Sequence, residues 1–107
     1  MQSNFKDYLK GKLTASQYEE GLRELFGSPH RRTKVLENPQ IATHAELLEL
    51  ADLCEVKAYW LYCEYLIALD NLSSKEIEQI EYIYLQMAID KEKAFEYSEK
   101  RRAAMAA

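Results

Sequence analysis

The sequence has few of the residues that break regular structure, with only three glycines and two prolines among 107 residues. An all-β chain needs such residues at many turns, so their scarcity leaves little room for that class and favours helices. Hydrophobic residues make up 48% and charged residues 30%, a balance typical of a folded chain rather than a disordered one. We therefore expect one all-α domain over residues 1–107, large enough to bury a core.

Cysteine and histidine are also scarce, with two residues of each. Cys54 and Cys63 fall nine residues apart in one predicted helix, which places them about 13 Å apart, too far for a disulfide. We expect both to be reduced core residues. His30 and His44 have no second ligand at a metal-binding spacing, so we expect neither a metal site nor a cofactor.

Long apolar segments are missing as well. The longest run, Ala58 to Leu69, is interrupted by Glu64 and is shorter than the roughly 20 residues that span a bilayer. The first twelve residues alternate charged and apolar side chains, which does not fit a secretory signal. We expect a cytoplasmic protein with no membrane partner.

What the sequence does contain is an uneven distribution of charge. Residues 35–90 hold eleven carboxylates and two bases, a net charge of −9, whereas 1–34 carries +3 and 91–107 carries +2. Concentrated negative potential speeds encounter with a basic partner and repels nucleic acid. We therefore expect a basic protein partner and no nucleic acid. The bases Arg31, Arg32 and Lys34 are expected to pair with acidic residues of the same fold.

Local signals predict two short N-terminal helices. Ser3 can cap the first, with Gly11 in a left-handed conformation after its end. The second begins at Thr14 or Ser16, because Ser16 and Glu19 fit a capping box, and it stops at Gly27–Pro29. Residues 28–42 are predicted to form a connector with one helical turn over Thr33–Glu37.

Two longer helices are predicted to follow. Thr43 and Glu46 form a capping box that starts a third helix ending at Leu69 or Asp70, and its apolar positions recur every three or four residues. They are Leu47, Ala51, Cys54, Ala58, Leu61, Tyr65 and Ala68. Ser73 with Glu76 starts a last helix, from Ser74 to Lys100. The expected fold is an antiparallel four-helix bundle with a long C-terminal hairpin, and a break near Val56 would contradict the continuous third helix.

Motifs for catalysis are lacking, because the sequence shows no nucleophile elbow, phosphate-binding glycine loop or metal-ligand spacing. Glu46/Glu49 and Asp52/Glu55 have a spacing that permits acid–base chemistry, but a solvated helix face is the simpler interpretation. We expect a non-enzyme. The eight tyrosines leave three interpretations open: core packing, anchors of a binding surface with a charged rim, or the interface of a homodimer.

Phe5–Tyr18 reads as a short helix, a Gly-x-[IL]-[ST] turn and a second helix with an aromatic residue. Asn38–Ile41 then leads to Glu46–Leu53, and Leu72–Ile77 follows. These segments resemble, in order, the opening, the next helix and the start of the last helix of the colicin-D-type bacterial immunity proteins. The resemblance implies a non-catalytic inhibitor that binds a cognate nuclease toxin, often one that cleaves tRNA, and blocks its active site. An acidic helical surface that fills a basic cleft is compatible with this function. The expected toxin-binding residues are Glu46, Glu49, Asp52, Glu55, Glu64 and Asp70, with Tyr59 or Tyr62 as an anchor.

A second resemblance concerns the segment Ser16–Gly21, which matches S-x-x-x-E-G. This pattern is similar to the inhibitory helix of antitoxins that silence Fic-fold AMP-transferases. The resemblance implies that Glu20 would take the place of the ATP γ-phosphate at its arginine, and Ser16 and Glu20 share a helix face. A generic helical adaptor or anti-defence protein with an acidic face also remains open.

Overall fold

The computed structural model describes residues 4–87 and 91–106, and these are helical with no strand among them. The predicted all-α class is therefore confirmed. The helices are α1 (Phe5–Lys12), α2 (Leu22–Phe26), α3 (Pro29–Glu37), α4 (His44–Leu53), α5 (Ala58–Tyr65), α6 (Ser74–Met87) and α7 (Lys91–Ala106). The chain divides into two compact units, which we call the N-terminal unit (Met1–Leu72) and the C-terminal unit (Ser73–Ala107).

Helix α1 starts and ends later than predicted. Asn4 caps it, because its side-chain oxygen accepts a hydrogen bond of 2.8 Å from the backbone N–H of Asp7. The predicted Ser3 cap lies outside the described residues. The helix continues through Gly11 to Lys12, so the prediction of a left-handed Gly11 beyond its end is wrong. Exposed basic residues in the last turn favour this continuation, because they complement the helix dipole.

The second predicted helix begins at Thr14 rather than Ser16. Gln17 donates its N–H to the Thr14 hydroxyl at 3.1 Å and its side-chain oxygen accepts from Thr14 N–H at 2.9 Å, a reciprocal cap. The predicted capping bond at Ser16 is not formed. A π-helical turn covers Gln17–Gly21 before α2, and Gly27 ends that helix with φ at 83°. The predicted stop at Gly27 is confirmed.

The segment predicted as a connector, 28–42, is largely helical. Ser28 accepts a hydrogen bond from Arg31 N–H at 3.1 Å, and Pro29 occupies the first position of α3. Serine followed by proline is a start signal for a helix, because it supplies the cap and a preset φ. The expectation of a single turn was wrong because the same residues also serve as a stop for α2. A 3₁₀ turn at Pro39–Ile41 then leads into α4.

The predicted third helix is broken into α4 and α5. It starts at the Thr43–Glu46 capping box as predicted, but α4 ends at Leu53 with Cys54 as its C-cap, and Glu55 has φ at 56°. Glu55 N–H donates to Asp52 O at 3.1 Å and Val56 N–H donates to Ala51 O at 3.0 Å. These two bonds form a Schellman motif, which ends a helix by satisfying its last carbonyls. The prediction of one continuous helix over 43–70 is therefore wrong.

Two further left-handed residues follow α5, Leu66 and Ala68, with φ of 55° and 70°. This segment is tied to the start of α4. Ala68 N–H donates to Pro39 O at 3.0 Å, and the Asn71 amide donates to Ile41 O and the neighbouring Ala42 O at 2.9 and 2.8 Å. These contacts hold the two left-handed residues, which are themselves buried.

The core of the N-terminal unit is aliphatic with one completely buried tyrosine. Its fully buried side chains include Leu9, Leu22, Val35, Leu47, Leu50, Cys54, Leu61, Tyr62 and Ile67. Both cysteines are free and buried, as predicted. Burial raises the pKa of the Cys54 thiol, with a smaller opposing effect of the Lys12 charge, so this thiol stays protonated at neutral pH.

The C-terminal unit pairs α6 with α7. Ser73 and Glu76 form the predicted capping box at the start of α6. Tyr84 and Tyr97 lie with ring centroids 5.4 Å apart, and Arg101 contacts Glu81 at 3.0 Å. Thirteen residues of straight helix would separate the two tyrosines by about 20 Å. The prediction of one straight helix from Ser74 to Lys100 is therefore wrong, and the join at 88–90 lies outside the described residues.

Candidate functional site

The eight sequence-predicted binding residues have very different surroundings. Glu49, Asp52, Glu55 and Asp70 are exposed, Tyr59 and Glu64 are half-buried, Glu46 is mostly buried, and Tyr62 is completely buried. Tyr62 therefore belongs to the core and cannot contact a partner in this conformation. This corrects its expected role as an anchor.

Glu46 is engaged within the fold. Its carboxylate accepts hydrogen bonds from the Arg31 guanidinium at 2.7 and 3.2 Å and from Thr43 N–H at 2.8 Å. Only 13% of its side chain is exposed. Burial alone would raise the pKa of Glu46, but the hydrogen bonds from Arg31 and Thr43 and the Arg31 charge outweigh it, so the pKa lies below its usual value. This carboxylate stabilises the fold and is not available as a free negative charge.

Arg32, the residue after Arg31, also has partners within the fold. Its guanidinium carbon lies 4.7 Å from the centroid of the Tyr18 ring, and its Nη1 lies 3.4 Å from a carboxylate oxygen of Glu19. Arg31 also donates to Ile41 O at 3.1 Å. The prediction that this basic cluster pairs with acidic residues of the same fold is confirmed for Arg31 and Arg32.

Glu49 and Asp52 instead line an open groove between α2 and α4. Its walls come from Gly21, Glu24 and Leu25 on one side and from Glu49, Asp52 and Leu53 on the other. The groove has a volume of about 380 Å³ and opens to solvent. We call these six residues the acidic groove, because three carboxylates surround two leucines.

The three carboxylates of the acidic groove form no ion pair within the described residues. In the part of the chain that the structure describes, no lysine, arginine or histidine nitrogen lies within 4.0 Å of the carboxylate oxygens of Glu24, Glu49 or Asp52. All three residues are exposed. Their charges therefore face solvent together, where water and salt weaken the field that they create.

Four of the six groove residues, Gly21, Glu24, Leu25 and Leu53, were not predicted as site residues from the sequence. Gly21, Glu24 and Leu25 are spaced i, i+3, i+4, and Glu49, Asp52 and Leu53 repeat that spacing, so each triad shares one helix face. This matched spacing is the signal that was available. Sequence alone does not tell which helices pack side by side, so Glu24 could not be placed next to Glu49.

Glu55, Glu64, Asp70 and Tyr59 do not line the acidic groove. Glu55 lies in the Schellman motif and Asp70 in the 3₁₀ turn at Leu69–Asn71. Of the eight predicted toxin-binding residues, therefore, only Glu49 and Asp52 lie together in the groove.

An aromatic cluster joins α1 and α5. Tyr8 contacts Trp60 and Tyr65 with ring centroids 5.5 and 5.3 Å apart, and Phe5 lies 5.4 Å from Tyr65. Burial, with smaller effects of Cys54 and Tyr65, raises the pKa of Tyr8 to about 12. Burial followed by the charge of Glu64 also raises the pKa of Tyr65. These aromatic rings pack against each other and account for part of the tyrosine content.

Neither a metal site nor a membrane-spanning helix is found among the described residues. No group of three histidine, cysteine or carboxylate side chains among residues 4–87 and 91–106 is arranged to hold a metal ion. Among the described helices, none has the length and apolar character needed to cross a membrane. Comparison with known proteins found no matching family model, no matching curated protein and no matching solved structure.

Proposed function

We propose that this chain is a non-catalytic immunity protein that binds and neutralises a cognate bacterial nuclease toxin, one that cleaves RNA or tRNA. The observation that carries the proposal is the acidic groove, in which three exposed carboxylates, with no cation within 4.0 Å among the described residues, lie beside two leucines. Together with the resemblance of its sequence segments to immunity proteins, this groove supports a partner with a basic surface.

The physical basis is complementarity with an RNA-binding cleft. A nuclease that binds the phosphates of RNA presents lysine and arginine side chains, and carboxylates can occupy the positions of those phosphates. Exposed charges act mainly on the association rate, whereas apolar contact at the centre of an interface slows dissociation. Leu25 and Leu53 supply apolar surface beside the charges.

The proposed contact set differs from the set expected from the sequence. Its centre is Glu24, Glu49 and Asp52, because these residues share the groove. Glu55, Asp70, Tyr59 and Glu64 remain in the proposal as flanking contacts, since each has some exposed surface. Glu46 and Tyr62 are left out, because the first is paired with Arg31 and the second is completely buried.

Three further features belong to the same proposal. The inhibitor acts as one domain in the cytoplasm, where its RNA-cleaving target acts. It has the antiparallel four-helix bundle expected from the sequence, with α4 and α5 in place of the single third helix. Paramagnetic relaxation from spin labels on individual helices to backbone amides tests that arrangement.

A co-expression experiment tests the function. We expect the chain to capture the toxin domain encoded beside its gene and to protect cells from that toxin. Glu49→Lys/Asp52→Lys should abolish both capture and protection without unfolding the chain, because both residues are exposed. Glu37→Lys/Glu78→Lys makes the same charge change at exposed positions of α3 and α6 and should leave protection intact. Equal protection by both variants would refute the proposed surface.

The antitoxin of a Fic-type AMP-transferase is a second candidate, because one observation favours it. The segment Gln17–Gly21 is a π-helical turn, a feature found frequently at functional sites, and Glu20 is exposed within it. Glu20→Gly should then release a neighbouring AMP-transferase, whereas Glu19→Gly, with the same helix penalty, should not. Unchanged inhibition by the Glu20 variant removes this candidate.

A further inference from the structure

The break between α4 and α5 consists of four residues, Cys54 to Lys57, and none of them is glycine or proline. Glu55 has φ at 56° there, in the left-handed region that glycine usually occupies at a helix end. By contrast, Gly27 ends α2 with φ at 83°, and Pro29 follows it closely. The end of α2 is therefore specified by its own residues, whereas the end of α4 is not.

The same four residues are compatible with a continuous helix. Glutamate and lysine are good helix formers, and the apolar residues Ala51, Cys54 and Ala58 keep a spacing of three or four residues across the break. Straightening would replace the two bonds of the Schellman motif with ordinary helical bonds. It would also return Glu55 to a negative φ and remove a steric cost. The bend therefore depends on the contacts that α5 makes with earlier parts of the chain.

Those contacts join residues before the break to residues after it. Tyr8 of α1 lies 5.5 Å from Trp60 and 5.3 Å from Tyr65 of α5, measured between ring centroids. Beyond α5, Ala68 N–H donates to Pro39 O at 3.0 Å. Each of these contacts can form with the same residue of a second copy, provided that the break straightens.

We propose that this chain forms a domain-swapped dimer, in which α4 and α5 join into one helix over residues 44–65 and residues 58–72 pack on residues 4–53 of a second copy. Such a dimer keeps the contacts of the N-terminal unit and removes the unfavourable φ of Glu55 from both copies. It costs the entropy of association, so its population rises with protein concentration. The inference does not rest on the proposed function, because α2 and α4 both precede the break and each copy retains its acidic groove.

Proline at position 58 distinguishes the two forms. Ala58 is the first residue of α5, where proline is well tolerated, and Lys57 before it is extended with φ at −78° and ψ at 140°, as a residue before proline prefers. In one helix over residues 44–65 the same proline would lie in the interior, where it removes a hydrogen bond and clashes with the preceding turn. Ala58→Pro should therefore leave the monomer folded and abolish the dimer.

Two substitutions of Glu55 form a matched pair. Glu55→Gly relieves the steric cost in the monomer and weakens a continuous helix, and a dimer contains two such helices, so the Kd of the dimer should rise about a hundredfold. Glu55→Ala removes the same charge but retains the steric cost of the bend. It should therefore dimerise at least as tightly as wild type.

Refolding at about 1 mM protein, followed by size-exclusion chromatography with light scattering, measures the dimer, because association follows mass action. In dimers refolded from isotope-labelled and unlabelled chains, isotope-filtered NMR should show a nuclear Overhauser effect between the Tyr8 ring of one chain and the Tyr65 ring of the other. Far-UV circular dichroism confirms that each variant is folded.

Four results would overturn the inference. The first two are a wild-type chain that stays monomeric after this refolding and a dimer that lacks the signal between Tyr8 and Tyr65 of different chains. The others are a folded Ala58→Pro variant that dimerises as tightly as wild type and equal Kd values for Glu55→Gly and Glu55→Ala. The Glu55 pair decides the question if the proline variant does not fold.

Discussion

Carboxylates in the first turn of α4 and in its middle have opposite surroundings. Glu46 is bound by Arg31 and by the backbone of Thr43, whereas Glu49 and Asp52, three and six residues later, face an open groove. A count of charges treats all three alike. The difference shows that a count of charges does not tell which carboxylates are paired within the fold and which face solvent.

The end of α4 adds a third case. Glu55 occupies the left-handed position of a Schellman motif, where glycine is usual. The left-handed conformation of Glu55 is sterically unfavourable, so it lowers the stability of the folded chain. One helix thus carries a stabilising carboxylate at its start, two solvent-facing carboxylates in its middle and a strained one just after its end.

Glu46→Ala should have the largest effect on stability. It removes the hydrogen bonds to Thr43 and Arg31 and leaves the guanidinium without its carboxylate, which should cost about 2 kcal/mol. Glu49→Ala on the same helix is the matched control and should change stability by less than about 0.5 kcal/mol. Urea denaturation measures both. Equal costs would show that the two carboxylates do not differ.

The difference in stability between wild type and Glu46→Ala should depend on pH. Folding lowers the pKa of Glu46, so the unfolded chain binds this proton more readily than the folded chain. The stabilisation by Glu46 is therefore fully present above its unfolded pKa near 4.5 and is lost as the pH falls through the lower folded value. The stability gap between wild type and Glu46→Ala should narrow as the pH falls below about 4.5. A gap that stays constant down to acid pH would contradict this role.

Glu55→Gly should raise stability, by about 0.5–1 kcal/mol. Glycine adopts a positive φ without the steric cost that glutamate bears, although its greater freedom in the unfolded chain offsets part of the gain. Glu55→Ala removes the same charge but retains the steric cost of a positive φ, so it should not raise stability. Equal denaturation midpoints for the two variants would indicate that charge, and not backbone conformation, distinguishes this site.

The smallest effect is expected in the acidic groove. Glu49→Gln/Asp52→Asn removes two charges that have no cation within the described residues, so stability should stay within about 0.5 kcal/mol of wild type. Thermal unfolding followed by circular dichroism is sufficient to measure it. A loss above about 1 kcal/mol would reveal a structural role for these residues.

Local signals were the part of the fold that the sequence could predict. The capping boxes at Thr43–Glu46 and Ser73–Glu76 form as expected, because each depends on residues three apart. The helix α3 was predicted only as one turn over Thr33–Glu37, because Ser28 and Pro29 were interpreted only as the end of the preceding helix.

The break after α4 and the acidic groove were beyond local reasoning. The apolar stripe through Cys54 and Ala58 continues across the break, and Glu55 is not a residue that usually ends a helix. Contacts distant in sequence hold the chain that follows, such as those from Asn71 to Ile41 and Ala42. The groove likewise depends on α2 lying beside α4, which no spacing within either helix determines.

The most direct test of the central claim is the salt dependence of toxin binding. Calorimetric titration of the captured toxin domain would compare wild type with Glu49→Gln/Asp52→Asn at low and high ionic strength. If the carboxylates of the acidic groove meet a basic cleft, wild-type affinity should fall steeply with salt. The variant should bind more weakly and depend less on salt. A variant that binds as tightly as wild type with the same salt dependence would show that the partner docks elsewhere.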